Sequence, residues 1–277
     1  MSFLRKNIIL CLLIFVSHFV IAQQKALPKF ALQIKKSIAQ INNYNYIETP
    51  NIDIDKLCKR TANNVVKLLS DKKYETINFE KMGLQLAITQ QNKTNVKIYN
   101  FSYDCGGTRR RITHPIVQWK DKQGNVYAHN LSATINCDFF EIHALKNKNK
   151  KLYLLIGAEA GDGACSQSVA YVIEVKDNKL ITNNAVFVNR PYINLCNIDY
   201  TFWQSTQTLY GDYRYEDYGK DILNSIQQQG FYSASEKNNR ALYVMLKEIY
   251  NESARIEIKF NGNKFIRISN SYKDIRP

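Results

Sequence analysis

The sequence predicts a mainly β protein of the α+β kind. An N-terminal helical hairpin is followed by an antiparallel β meander, which forms a sandwich, an open barrel or a propeller-like sheet. Three observations predict this. Apolar residues recur every three to four positions up to about residue 70. From about residue 84 the period becomes two. Turn sequences rich in Asn, Asp and Gly then separate the alternating runs, and such residues tolerate the positive φ that tight hairpins need.

The helical part has two elements. In "PKFALQIKKSIAQIN", residues 28–42, Pro28 suits a first helical turn, and Phe30, Ile34, Ile38 and Ile41 line one face. In "DIDKLCKRTANNVVKLLS", residues 53–70, Asp53 is the expected N-cap. Residues 43–51 form the loop between them. A hairpin of this size is too small to fold alone.

The β part starts with "LQLAITQ" and "VKIYNFSYD", then pairs segments across turns. "HPIVQWKD" turns at "KQGN" into "VYAHNL", and "CDFFEIHAL" turns at "KNKNK" into "LYLLIGAEA". "SVAYVIEV" turns at "KDNK" into "LITNNAVFV", and "ARIEIKF" turns at "NGNK" into "FIRIS". "RALYVMLKEIY", residues 240–250, is read as a strand. No clean repeat of about 40 residues marks a regular propeller. The expected divisions are 1–22, 23–75 for the helical segment and 76–277 for the β domain.

Residues 1–22 have the layout of a secretory signal peptide. Arg5 and Lys6 precede an apolar run, and Val20-Ile21-Ala22 place cleavage between Ala22 and Gln23. Leu10 before Cys11 excludes the lipoprotein reading. No later run reaches about 18 apolar residues, so no transmembrane segment is expected after signal removal. The expected location is the periplasm or the exterior. Losing Arg5 and Lys6 lowers the formal charge from +14 to +12. That excess suggests anionic surfaces, although lysines spread along strand edges and turns also serve solubility. Nucleic acid is not an expected partner, because there is no basic helix and no zinc-knuckle spacing.

Export also frames the cysteines. Cys58, Cys105, Cys137, Cys165 and Cys196 remain after cleavage, which predicts two disulfides and one free thiol. Cys58, in the helical part, is the expected free one. No two cysteines lie two to four residues apart, so neither a metal nor another cofactor is expected. An up-and-down path puts the loop 105–113, the start of strand 137–145, the loop 160–166 and the segment 190–197 at one end. That arrangement pairs Cys105 with Cys165 and Cys137 with Cys196.

The loop "YDCGGTRRRITH", residues 103–114, is the first candidate site. Gly106 and Gly107 can turn backbone N–H groups toward an anion, and Arg109, Arg110 and Arg111 can pair with phosphate, sulfate or carboxylate. A solvated basic loop is the plainer reading. Catalytic alternatives are weaker. Cys105 with His114 and Asp104 or Asp162 would need a free thiol in an oxidising compartment. Ser166 and Ser168 lack a Gly-x-Ser-x-Gly elbow. His114, His129 and His143 lack metal-site spacing. Asp162 with Glu159 or Asp104 would suit glycoside hydrolysis. No catalytic residue is assigned.

The second candidate is "DYTFWQSTQTLYGDYRYEDYGKD", residues 199–221. Flat rings beside acids and amides suit sugar or peptide binding, and Trp203, Tyr213 and Tyr215 are the expected ligand-binding rings. The plainer reading is a hairpin whose rings pack a core.

The stretch "YDCGGTRRRITHPIVQW", the strand "LYLLIG" and the terminal "FNGNKF" resemble a family of secreted Bacteroidota proteins with no established activity. The resemblance covers about half the chain. It implies a common β fold and supplies no catalytic residue. Cys105 departs from the family pattern, which implies a local disulfide. The expected function is a non-catalytic binding protein of the envelope or exterior. Its expected partner is an anionic polymer, a glycan or a protein. A secreted hydrolase and an inhibitor or immunity-type protein are the alternatives.

Overall fold

The structure is a computed structural model that describes residues 27–44, 48, 51–89, 95–104, 111–159, 167–196, 198–213, 244 and 256–267. Helix α1 (Lys29–Asn42) buries Ala31, Ile34, Ile38 and Ile41, one stripe at helical spacing. Helix α2 (Ile54–Leu69) is capped by Asp53, whose carboxylate accepts the Lys56 N–H at 3.0 Å. It buries Leu57, Cys58, Ala62, Val65 and Leu68 against α1 and the first sheet.

Among the described residues fourteen strands follow: β1 (Gln85–Leu86), β2 (Ile88–Thr89), β3 (Val96–Asp104), β4 (Arg111–Lys120), β5 (Val126–Asn130), β6 (Asp138–Leu145), β7 (Lys151–Glu159), β8 (Gln167–Lys176), β9 (Lys179–Ile181), β10 (Tyr192–Cys196), β11 (Ile198–Trp203), β12 (Thr208–Tyr213), β13 (Ile256–Phe260) and β14 (Phe265–Arg267). They form three sheets. The first runs β1-β3-β4-β5, the second β10-β8-β7-β6-β2 with β9 also on β8, and the third β11-β12-β13-β14. All pairs are antiparallel except β2 with β6. Among the described residues no sheet closes on itself, so of the three arrangements the sequence left open the stacked one is found.

The stack has four layers and three cores. Tyr99, Phe101, Tyr103 and Ile116 point from the first sheet to the helices. Val96, Ile98, Val117 and Trp119 point the other way, onto Phe139, Ile142, Leu155, Val169 and Tyr171 of the second sheet. The opposite face of the second sheet, with Leu152, Leu154, Ile156, Ala170 and Val172, meets Ile198, Phe202, Leu209, Ile258 and Phe265 of the third. Each strand's alternation therefore feeds two different cores. The helical segment is one layer of this stack, since it shares its core with the first sheet.

Polar groups tie the layers. Gln118 Nε2 donates to the Leu69 carbonyl at 2.7 Å, and the Tyr103 hydroxyl donates to Asp55. Asn100 is 2% exposed and bridges the first two sheets. Its Nδ2 donates to the Phe139 carbonyl at 2.7 Å, and its Oδ1 accepts the Phe139 N–H at 3.4 Å. Phe139 borders a β-bulge, because Phe139 pairs with Gly157 and Glu141 with Ile156, leaving Phe140 over. Gly157 must stay small, since a Cβ there would meet the Asp138 carbonyl at 2.5 Å and the Cys137 sulfur at 2.6 Å.

One strand expectation needs correction, and another falls almost wholly outside the described residues. Of residues 180–188 only the β9 portion is strand, and Val188 at φ 58 is incompatible with an extended run. The partner of β8 on that side is β10 instead. Residues 240–250 lie outside the described residues except Val244, which is helical.

Asn100→Ala leaves the buried N–H and carbonyl of Phe139 without their partner. It is expected to cost about 2–3 kcal/mol, read as a lower urea midpoint with unchanged m-value.

Candidate functional site

The strand ends gather at one side as the up-and-down path requires. Asp104, last in β3, pairs with Arg111, first in β4. In the second sheet Asp138 pairs with Ala158, Glu159 with Gln167, and Gln167 with Cys196. The two sheets are laced together here. Arg111 Nε donates to Ser102 Oγ at 2.6 Å, and its guanidinium lies 3.6 Å from Asp138 Oδ2. Asn136 accepts the Thr113 N–H at 2.8 Å and donates to the Arg111 carbonyl at 3.2 Å. Burial holds the Asp138 carboxyl above its ordinary range, and Arg111 offsets only part of that rise. The tight turns at 121–125, 146–150 and 177–178 lie at the other end of these strands.

A cavity of about 140 Å³ opens at the gathered ends. Thr134, Asn136, Glu159, Tyr192 and Asn194 line it. The Tyr192 ring is held by Arg190, whose guanidinium sits 4.6 Å from its centre, and by the edge of Tyr171 at 6.1 Å. The lining suits a small polar group. Glu159 lines the cavity, and Asp162, its expected partner for glycoside hydrolysis, lies outside the described residues.

The predicted site residues are only partly united. Cys105, Arg109, Arg110, Asp162, Cys165, Ser166 and Tyr215 lie outside the described residues. Arg111 is half-exposed but already engaged by Ser102 and Asp138. Ser168 is buried and donates to the Ile198 carbonyl, tying the second sheet to the third. The three histidines occupy different layers. His114 stacks on Phe101 in the helix-side core, His143 packs on Phe202 beside the third sheet, and His129 is exposed on β5. Among the described residues no group of three His, Cys, Asp or Glu could hold a metal. No described helix is long and apolar enough to cross a membrane.

The cysteine pairing is corrected. Cys58 is free and buried, with its thiol pushed up to about 12 mainly by burial. Cys137 is free and buried as well, so it does not pair with Cys196. The sheet order explains why. β10 and β6 are separated by β8 and β7, so a residue beside β6 lies about 14 Å from its row-mate on β10. A disulfide spans no more than about 7 Å between Cα atoms. Cys196 is disulfide-bonded, and its partner lies outside the described residues.

In the aromatic segment, Trp203 stands exposed on the outer face of the third sheet with Tyr210 beside it. Tyr213 occupies the register position opposite core-facing Ile198, not that of the outward pair Asp199 and Asp212. Tyr210 was missed as the second ring. The signal was available, since a hairpin turning at 204–207 brings 203 and 210 to neighbouring rows on one face.

No protein-family model matches the chain, and no curated protein or solved structure matches it.

Two outcomes follow from this geometry. Cys58 and Cys137 should resist a thiol reagent in the native protein and react after denaturation, while non-reducing peptide mapping should recover Cys196 in a disulfide. Burial also holds His114 below its ordinary value of 6.5, with Asp55 pulling the other way. The unfolded chain therefore takes up a proton before the folded one, and stability should fall as pH drops through 6.5 toward the lower folded value. Denaturant midpoints at pH 7 and pH 5 should differ less in His114→Phe, which keeps the ring on Phe101.

Proposed function

We propose that the chain is a secreted, non-catalytic binding protein of the cell envelope or exterior. Its loop end would take an anionic polymer or a protein partner. The observation that carries this is the gathering of strand ends around a polar cavity, directly beside the strand that the arginine loop enters. Rigid strands that end together beneath connecting loops are how a β scaffold presents a binding surface. Arg111 supplies the fixed base of that loop, so Arg109 and Arg110 are the arginines left for a ligand. The formal charge, +14 for the full sequence and +12 without Arg5 and Lys6, supports an anionic partner. The bonded Cys196 is in keeping with an oxidising compartment, as the signal-like N-terminus is. Exported protein should begin at Gln23 on N-terminal sequencing.

Dextran sulfate is the probe for the loop end. Arg109→Ala with Arg110→Ala should weaken its binding by about tenfold or more, the scale of one or two lost charge-assisted hydrogen bonds, with melting unchanged. Binding by the parent should weaken as salt rises, because the screening length is only about 8 Å at physiological ionic strength. Arg111→Ala should act mainly on stability. Its half-exposed ion pair contributes about 0.2–1 kcal/mol. Parent-like binding by the double variant would remove the arginines from the function and leave the loop as a solvated turn.

A further inference from the structure

The third sheet has an outer face that the loop end does not account for. Its inward residues fill the core, so the alternate residues share the outside. Strand pairing sets them in rows. Trp203 stands opposite Thr208, Thr208 opposite Lys259, and Lys259 opposite Ile266. In the next row Thr201 stands opposite Tyr210, and Tyr210 opposite Glu257; beyond it Asp199 faces Asp212. Trp203 is 56% exposed, and its ring lies 5.3 Å from that of Tyr210 at 58°. Thr208, although on the outer side, is only 2% exposed beside these rings. The two rings thus form a corner, one as floor and one as wall, with carboxylates in the adjoining positions.

We propose that this corner is a glycan site that takes a neutral pyranose. The apolar C–H face of the sugar would lie on Trp203 against Tyr210, and its hydroxyls would donate to the carboxylates of Asp212 and Glu257. Charge argues for a neutral ligand. The described outward positions hold Asp199, Asp212 and Glu257 against Lys259, in a chain whose total is +14. The carboxylates beside the rings accept from hydroxyls and offer an anionic polymer no hydrogen-bond donor. A cation on Trp203 meets Lys259 in the same row. A protein partner is a poorer fit, since the large exposed apolar side chains of this face, Trp203 and Ile266, sit on opposite edge strands about 14 Å apart. A stable interface covers about 800 Å² per partner around an apolar centre. The corner lies at the 204–207 turn, which binds back to the β6–β7 turn through Gln204 to the Ala144 carbonyl and Lys146 N–H to Gln207. It is therefore at the opposite end from the arginine loop, and the two sites can fail separately.

The chain carries its own reporter. Of its two tryptophans, Trp119 is 3% exposed with its N–H on the Asp177 carbonyl, so a ligand-induced change in indole emission reports Trp203. The mature protein is titrated with cellohexaose, maltohexaose, xylohexaose and chitotetraose, with dextran sulfate and tetramethylammonium as charged controls. At least one neutral oligosaccharide should give a saturable change with a Kd of about 1 mM or tighter, insensitive to salt. Calorimetry should show Trp203→Ala weakened by about tenfold or more, Trp203→Phe less affected, and Arg109→Ala with Arg110→Ala unchanged. Trp203 is on the surface, so parent-like melting of Trp203→Ala confirms folding. The proposal is overturned if none of the four sugars gives a saturable change up to about 10 mM. It is equally overturned if binding survives in Trp203→Ala, or if only a charged control responds.

Discussion

The stack depends on one buried amide. Asn100 holds both backbone groups of Phe139 across the interface between the first two sheets, at the residue where β6 gains its extra position. The bulge decides what every later residue of β6 faces. Without it, Phe139, Glu141 and His143 would share the core with the first sheet. With it, Phe139 and Ile142 do, while Leu145 turns to the third sheet. Asn100 therefore does more than satisfy a polar pair. It fixes the register on which two of the three cores depend, and it does so where Gly157 allows the backbones to close.

The fold was legible in the sequence wherever one face of an element meets water. Ile34, Ile38 and Ile41 mark α1, and Ile198, Tyr200 and Phe202 alternate with Asp199, Thr201 and Trp203 along β11. The second sheet is buried on both faces, so β7 and β8 read as nearly continuous apolar runs whose faces cannot be told apart by periodicity. The bulge was hidden for the same reason, since Phe139 and Phe140 look alike in sequence while one is fully buried and the other 46% exposed. The path of the chain correctly brought the strand ends at Asp104, Arg111, Asp138, Glu159, Gln167 and Cys196 to one end. It could not give the lateral order of strands, and lateral order is what separates Cys137 from Cys196. The arginine loop was visible as a motif, but the commitment of Arg111 to Ser102 and Asp138 depends on contacts across two sheets.

The total charge is a poor guide to any one surface of this molecule. The arginine loop joins β3 to β4 of the first sheet, while the described outward positions of the third sheet hold Asp199, Asp212 and Glu257 around the rings. Asp199 and Asp212 stand directly across from one another on the outward side. The sheet's apolar packing is on the other side, where Phe187 and Phe265 stack at 4.6 Å and Ile198, Phe202 and Leu209 are fully or almost fully buried.

The layering sets which contacts support each of these two surfaces. A two-sheet sandwich has one core, and a change on either outer face is felt at the interface behind it. Here the second sheet lies between two cores, so the loop end is supported mainly by contacts between the first and second sheets, and the aromatic corner by those between the second and third. The two surfaces share the central strands but not their side chains, because residues that alternate along β7 and β8 point to different cores. Side-chain changes that serve one surface are thereby insulated from the other. Backbone changes are not, and Asn100 and Gly157 stand where both cores depend on one backbone.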